Sequence, residues 1–289
     1  MKVFLLGATG NVGSAITDEL LAHDYPVIAL ARSDESERTL AEKGVSVVRG
    51  DLRKPDAWQA IVHDVDAIIH AAATFDEDMG EVDRRMVQAL IEEGGKAARS
   101  IKFIYTGGCW LYGETGDTIA TEHTSFSPLP SFAWMTENGE MVMRADCFDG
   151  LIVHPAMVYN RDGGVISRYI DSAEKTGQVE IWGSLDTRWP VVHQKDLAVA
   201  YRLALENGRA GEHYNIAAEK GVMVSHMAEV IGQRYSLTSP PLVRDITEVI
   251  AEQGAWAAGP ALDQQMSGEK ALSELGWHPT TGAMLLEIG

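Results

Sequence analysis

Short apolar runs alternate with longer amphipathic stretches through the first half of the chain. The runs Lys2–Leu6, Pro26–Ala31, Val45–Arg49, Ala67–His70, Lys102–Tyr105 and Gly150–His154 are dominated by Val, Ile, Leu and Ala. Such near-continuous apolar runs predict strands covered on both faces. Between them, periodic apolar positions predict helices over Val12–His23, Ser36–Lys43, Asp56–Val62 and Glu81–Ala98, with Asn11 and Ser33 or Asp34 as capping residues. Six strands joined by right-handed crossovers make an α/β chain with a doubly wound parallel sheet, and such sheets bind ligands at the carboxyl ends of their strands. After Pro155 the alternation loosens, and glycine-containing connections at Asp162-Gly163-Gly164, Gly183 and Gly211 separate shorter elements. The expected division is a sheet domain over 1–155 and a smaller mixed α/β lobe, mainly 156–289, that carries the substrate. Residues 189–206 read as a strand and helix that return to the main body.

Composition narrows the setting. With 45% hydrophobic and 23% charged residues, the chain is long enough for one large domain or two packed ones. Its 24 basic and 42 acidic residues give a net charge of −18. A surface that acidic repels phosphate backbones and anionic headgroups, so no nucleic-acid and no membrane partner is expected. Two cysteines, Cys109 and Cys147, cannot make a disulfide framework or a four-cysteine zinc site, which points to a reducing, cytoplasmic setting. The run Val3–Leu6 breaks at once into Gly7-Ala8-Thr9-Gly10, so no export signal is expected. The nine histidines show no H-x-x-x-H spacing, and no metal site is expected. If the chain oligomerises, a homodimer is the expected form.

The first chemistry-bearing motif is Gly7-Ala8-Thr9-Gly10-Asn11-Val12-Gly13, directly after a predicted strand and opening a predicted helix. In that context Gly7 allows a tight turn, Gly10 lets the backbone approach a pyrophosphate, and Gly13 lets the helix pack close on the sheet. The motif therefore predicts a dinucleotide site that includes Thr9, Asn11 and Val12. At the end of the second strand, where a 2′-hydroxyl-binding site carries Asp or Glu, stand Arg32 and Ser33. A guanidinium there pairs with a 2′-phosphate, which favours NADP(H) over NAD(H).

The glycine turn is followed in order by Gly50-Asp51-Leu52, His70-Ala71-Ala72-Ala73, Tyr112-Gly113, His154-Pro155-Ala156-Met157-Val158-Tyr159, Arg188–Ala198 and Leu275-Gly276-Trp277-His278-Pro279. This series, nearly end to end, resembles the extended or atypical short-chain dehydrogenase/reductases of the NAD-dependent epimerase/dehydratase group. The resemblance implies a Rossmann-type sheet. It also implies that Asp51 and Leu52 meet the adenine, that Ala71, Ala72 and Ala73 pass beneath the nicotinamide side, and that Pro155, Met157 and Val158 line the nicotinamide and the substrate mouth.

One feature of that family is missing. Its hydride chemistry uses a Tyr-x-x-x-Lys pair, in which the ammonium lowers the pKa of the phenol. None of the eight tyrosines has a lysine four residues later, and no lysine lies between Lys102 and Lys175. Depending on register, the pair has become Phe132 and Thr136 or Trp134 and Asn138; the neighbouring hydroxyl position is Gly108, with Thr106 close by. Residues that could substitute are Tyr112, Thr106 and His193, with His154 on the same predicted side. Trp110, Tyr112, Phe132, Trp134 and Trp189 are expected to line an apolar substrate pocket.

The expected function is an NADP(H)-binding reductase or isomerase of atypical short-chain type. Its small-molecule substrate would be a small apolar carbonyl or imine compound. The alternative is a catalytically silent dinucleotide sensor. Nucleotide-sugar epimerisation is disfavoured, because it needs the missing tyrosine in both half-reactions.

Overall fold

A computed structural model describes residues 1–289. The chain begins with β1 (Val3–Leu6), α1 (Asn11–Ala22), β2 (Val27–Ala31), α2 (Asp34–Glu42), β3 (Ser46–Arg49), β4 (Ala67–His70), α3 (Met79–Gly94), β5 (Ile101–Thr106), α4 (Trp134–Arg144) and β6 (Phe148–Pro155). Helices α5 (Ser167–Thr176) and α6 (Gln194–Asn207) follow, then β7 (His213–Ile216). All seven strands are parallel neighbours in one sheet of order 3-2-1-4-5-6-7. The chain order therefore reverses at β1, with β2 on one side and β4 on the other, and the ends of β1 and β4 form a crevice.

Side-chain alternation explains why β1 is buried throughout. Val3 and Leu5 join one apolar layer with Ile16 and Leu20 of α1 and Tyr201 and Ala204 of α6. Phe4 and Leu6 point the other way, into a layer with Met86 and Leu90 of α3 and Val142 of α4. Each fully buried side chain of this kind contributes about 1.5–3 kcal/mol. The same parity places Ile68 of β4 and Phe103 and Tyr105 of β5 on the α3/α4 face. His70, two residues beyond Ile68 and paired in register with Tyr105, falls on that face as well.

Two expectations are corrected. The helix expected over Asp56–Val62 is a pair of 3₁₀ turns, Pro55–Ala57 and Gln59–Asp64, separated by Trp58 at φ −140°. The sheet also gains β7 beyond the six expected strands, pairing with β6. Helix α6 packs on α1, where Arg202 holds Glu19 at 2.7 Å. A four-stranded sheet (Glu219–Met223, Arg188–His193, Met157–Asn160, Gly163–Gly164) carries the smaller lobe. The Ile119–Ala120 strand, which follows β5, pairs with Gln265–Met266. No helix is long and apolar enough to cross a membrane.

Candidate functional site

The chain leaves β1 through Gly7 at φ +88°, a left-handed conformation that favours glycine. A Cβ at Gly7 would lie 2.5 Å from the Ala71 carbonyl oxygen, and one at Gly13 would run into the Gly7 carbonyl. The turn is thus sealed between β4 and α1. Gly10, rather than Asn11, is the N-cap of α1, and its N–H donates to the Gly7 carbonyl at 2.9 Å. Helix α1 has no side-chain cap and no acidic residue in its first turn. Helix α2 is the opposite case: Ser33 caps it, and Asp34, Glu35 and Glu37 occupy its first turn. A first turn with free N–H groups and no carboxylate is suited to an anionic ligand.

Gly7, Thr9, Gly10, Asn11 and Val12 form one wall of a cavity of about 460 Å³. Ala71, Ala72 and Ala73 continue the wall from the end of β4, and Thr106 from the end of β5. Thr106 Oγ1 shares a 2.6 Å hydrogen bond with the Tyr201 hydroxyl, whose pKa burial pushes up. The rest of the lining is largely apolar: Trp134 and Met135 from the start of α4, Phe132 from the turn just before the helix, and Phe75 and Met79. No lysine or arginine lines the cavity. Phe75 is an addition to the expected set. It is 87% exposed at φ +57°, in a loop that Arg53 grips through Asp76 at 2.7 Å and through Asp78.

On the same cavity wall lies a buried polar network that the motifs did not announce. His70 of β4, Asp83 of α3 and Tyr105 of β5 are all buried and all border the cavity. Asp83 sits in the apolar face of α3 among Val82, Met86 and Val87. Three donors converge on its carboxylate. His70 Nε2 meets Oδ1, while the Tyr105 hydroxyl and Asn138 Nδ2 each donate to Oδ2 at 2.8 Å. Burial and the Asp83 carboxylate raise the Tyr105 phenol well above its usual pKa, so it stays a donor. Asn138 thus ties α4 to α3. Trp134, one turn earlier, packs its ring beside Gly80 of α3.

The remaining expected site residues divide clearly. Arg32 is exposed at the end of β2 and makes no ion pair, whereas Arg49 on the adjacent β3 is tied to Asp34 and Glu37. Ser33 spends its hydroxyl on the α2 cap, accepting the Ser36 N–H at 3.1 Å. Asp51 Oδ1 accepts the Arg53 N–H, leaving Oδ2 free, and Leu52 borders a small void beside the main cavity. Pro155 and Met157 are buried and Val158 is half-buried where β6 runs on into the lobe; none lies on the cavity wall.

Three residues expected on the pocket wall stand elsewhere. Trp189 is buried, stacks on Tyr169 and donates to the Pro260 carbonyl. Trp110 lies behind Phe132, with ring centroids 5.2 Å apart. Tyr112 is buried against Phe126 and His154 and donates to Asn215 Oδ1 at 2.8 Å; burial raises its pKa. With its proton committed inside the protein, Tyr112 does not reach the cavity. His193 caps α6, its Nδ1 accepting the Lys195 N–H at 3.2 Å. His154 is enclosed, bonded through Nε2 to His213 Nδ1 at 2.9 Å, and burial lowers its pKa to about 3.

Comparison with known proteins adds three findings. The profile of the "NAD dependent epimerase/dehydratase family" matches residues 3–217. An uncharacterised protein of Saccharomyces cerevisiae is 27% identical over 100% of this chain and 98% of its own length, and a decarboxylating sterol-4-alpha-carboxylate 3-dehydrogenase of Dictyostelium discoideum is 25% identical over 72% and 68%. Among solved structures, the UDP-glucose 4-epimerase of Thermus thermophilus in complex with NAD shares the fold with a TM-score of 0.81, at 19% identity, over 100% of this chain and 96% of the other.

Proposed function

This chain belongs to the NAD dependent epimerase/dehydratase family, and from that premise we propose that it is a nicotinamide-dinucleotide reductase of a small apolar carbonyl or imine compound, using NADP(H) in preference to NAD(H). The observation that carries this reading is a cation-free, aromatic-walled cavity continuous with the glycine turn. The turn suits a pyrophosphate, because the first turn of α1 has no side-chain cap and no carboxylate to compete for its N–H groups. Gly7, Gly10, Asn11 and Val12 would hold the pyrophosphate, the free Oδ2 of Asp51 would meet the adenine amino group, and Ala71–Ala73 would pass beneath the nicotinamide side. When bound, a reduced nicotinamide supplies a hydride to the carbonyl or imine carbon, and the cofactor carries that chemistry itself.

Phe75, Phe132, Trp134 and Met135 suit an apolar acceptor. The Dictyostelium relative, named as a dehydrogenase of a sterol carboxylate, also acts on a largely apolar molecule. NADP(H) is favoured because Arg32 has no carboxylate partner. Losing a charge-assisted hydrogen bond to a 2′-phosphate costs about 1.5–3 kcal/mol. Arg32→Ala should therefore weaken NADPH binding about 10- to 100-fold and leave NADH binding nearly unchanged.

Titration with both dinucleotides, followed by tryptophan and nicotinamide fluorescence, tests these points. Absence of binding by either below millimolar would overturn the reading. A panel of apolar aldehydes, ketones and imines, followed at the nicotinamide absorbance, should then show turnover. A flat trace with tight dinucleotide binding would mean a sensor instead.

A further inference from the structure

The reductase reading leaves open how a carbonyl oxygen gains its proton when the cavity has neither a Tyr-x-x-x-Lys pair nor any lysine. His70 Nε2 faces a carboxylate oxygen, which can only accept. The neutral imidazole therefore carries its proton on Nε2 and presents Nδ1 as an acceptor. Nδ1 is buried and has no partner within the protein. Leaving a buried polar atom unpaired costs about 1–3 kcal/mol, so this geometry calls for a partner.

Beside His70 is a void of about 10 Å³, room for a single water. Thr74 also borders the void, and its Oγ1 is likewise buried with no protein partner. Two residues on one water-sized void thus each carry an unpaired buried polar atom, the kind of partner a bound water needs. His70, Asp83 and Trp134 wall both this void and the main cavity. A water there would sit beside residues that also line the substrate cavity.

Resting on the reductase reading, we propose that His70 is the proton donor of this cavity, held by Asp83 as its positioning residue and joined to the substrate by one water seated between Nδ1 and Thr74. Once the hydride has added, the former C=O π pair lies on oxygen. That oxygen takes a proton from the water, forming the O–H bond of the alcohol. The water takes the Nδ1 proton of the His70 imidazolium, which becomes a neutral imidazole with its remaining proton on Nε2. Solvent then restores the Nδ1 proton. Tyr105 does not fill this role, because its proton is committed to Asp83 and releasing it would leave a buried phenolate against a carboxylate. The titratable groups facing His70 are Asp83 from α3 and Tyr105 from β5; α4 adds only the uncharged Asn138 and Trp134.

The test combines binding, turnover and a direct view of the ring. Nitrogen NMR of histidine-labelled wild-type protein should show the neutral His70 ring with its proton on Nε2, and turnover should fall as pH rises. His70→Asn and Asp83→Asn should each lower turnover at least about 100-fold while dinucleotide affinity stays within about twofold. Thr74→Val should lower turnover by a smaller factor, also without loss of dinucleotide. A neutral ring with its proton on Nδ1 and Nε2 bare, or turnover that does not fall as pH rises, would overturn the assignment even if the variants misfold. Full turnover by His70→Asn with dinucleotide bound would overturn it and leave the reductase reading standing. Failure of the wild type to bind dinucleotide would remove both.

Discussion

At the scale of single residues, Phe75 shows how a side chain can be costly to the fold and still be retained. It is 87% exposed and held at φ +57°, a conformation that costs a non-glycine residue about 1 kcal/mol or more. Its ring adds almost nothing to the core, yet it borders the same cavity as the glycine turn. Phe75→Gly removes that strain while adding a similar entropic cost in the unfolded chain, so global stability should change by less than about 1 kcal/mol. Ligand binding should weaken about 2- to 10-fold, the worth of one aromatic contact. Urea unfolding beside dinucleotide and substrate titrations would measure both. A large loss of stability with unchanged binding would show that Phe75 is a fold residue and not part of the site. Trp134 and Asn138 make a related point, because they hold the tyrosine and lysine positions in one register of the family pair yet serve packing. One covers Gly80 and the other ties α4 to Asp83.

At the scale of elements, the glycine turn and α1 make fold and function separable. Gly10 is the N-cap of α1 at φ −75°, an extended backbone that any residue adopts, and a Cβ there would lie 3.3 Å from the Gly7 carbonyl oxygen, a tight contact. Aspartate is among the best N-cap residues, though it gains only about a few tenths of a kcal/mol over glycine there, and its carboxylate would occupy the place of a pyrophosphate. Gly10→Asp should therefore abolish dinucleotide binding while leaving the melting temperature equal or higher. Retained binding would refute the placement of the cofactor, and a large drop in melting temperature would mean the turn has no room for any Cβ. Strands β1 to β6 were legible because each is a short, largely apolar run, and all but the edge strand β3 are mostly buried. Strand β7 was not: His213-Tyr214-Asn215-Ile216 alternates polar and apolar residues, and its polar side chains are taken inside, where His213 pairs with His154 and Asn215 accepts from Tyr112 through Oδ1 while its Nδ2 finds no protein partner. The turn over 55–64 kept its apolar spacing but not its helix, since Trp58 leaves helical geometry. The glycine motif revealed half of the site. The His70–Asp83–Tyr105–Asn138 network stayed hidden because its members come from four elements with no fixed spacing. Two signals could have exposed it, a histidine closing the buried strand β4 and an aspartate on the apolar face of α3.

At the scale of the whole molecule, the charge of −18 and one buried histidine pair pull acid stability in opposite directions. Lowering pH relieves self-repulsion on an acidic surface, but screened surface charges are worth only about tenths of a kcal/mol each. His154 is enclosed, and burial, followed by repulsion from His213, holds its folded pKa at about 3; burial lowers His213 as well. An unfolded histidine titrates near pH 6.5. Between pH 6.5 and 3 the unfolded chain therefore binds the proton that folded His154 refuses. Stability is fully present above pH 6.5 and falls as pH drops, by up to about 1.4 kcal/mol per unit. The buried pair outweighs the surface, and net stability should fall by about 2 kcal/mol between pH 6.5 and 5. Urea midpoints for wild type and His154→Gln at pH 7 and pH 5 test this: the wild-type midpoint should drop, and the variant, though weaker at pH 7, should show a shallower dependence. A wild-type midpoint that holds steady or rises at pH 5 would mean that surface charge governs acid stability, with β6 and β7 opening enough to let His154 protonate at little cost.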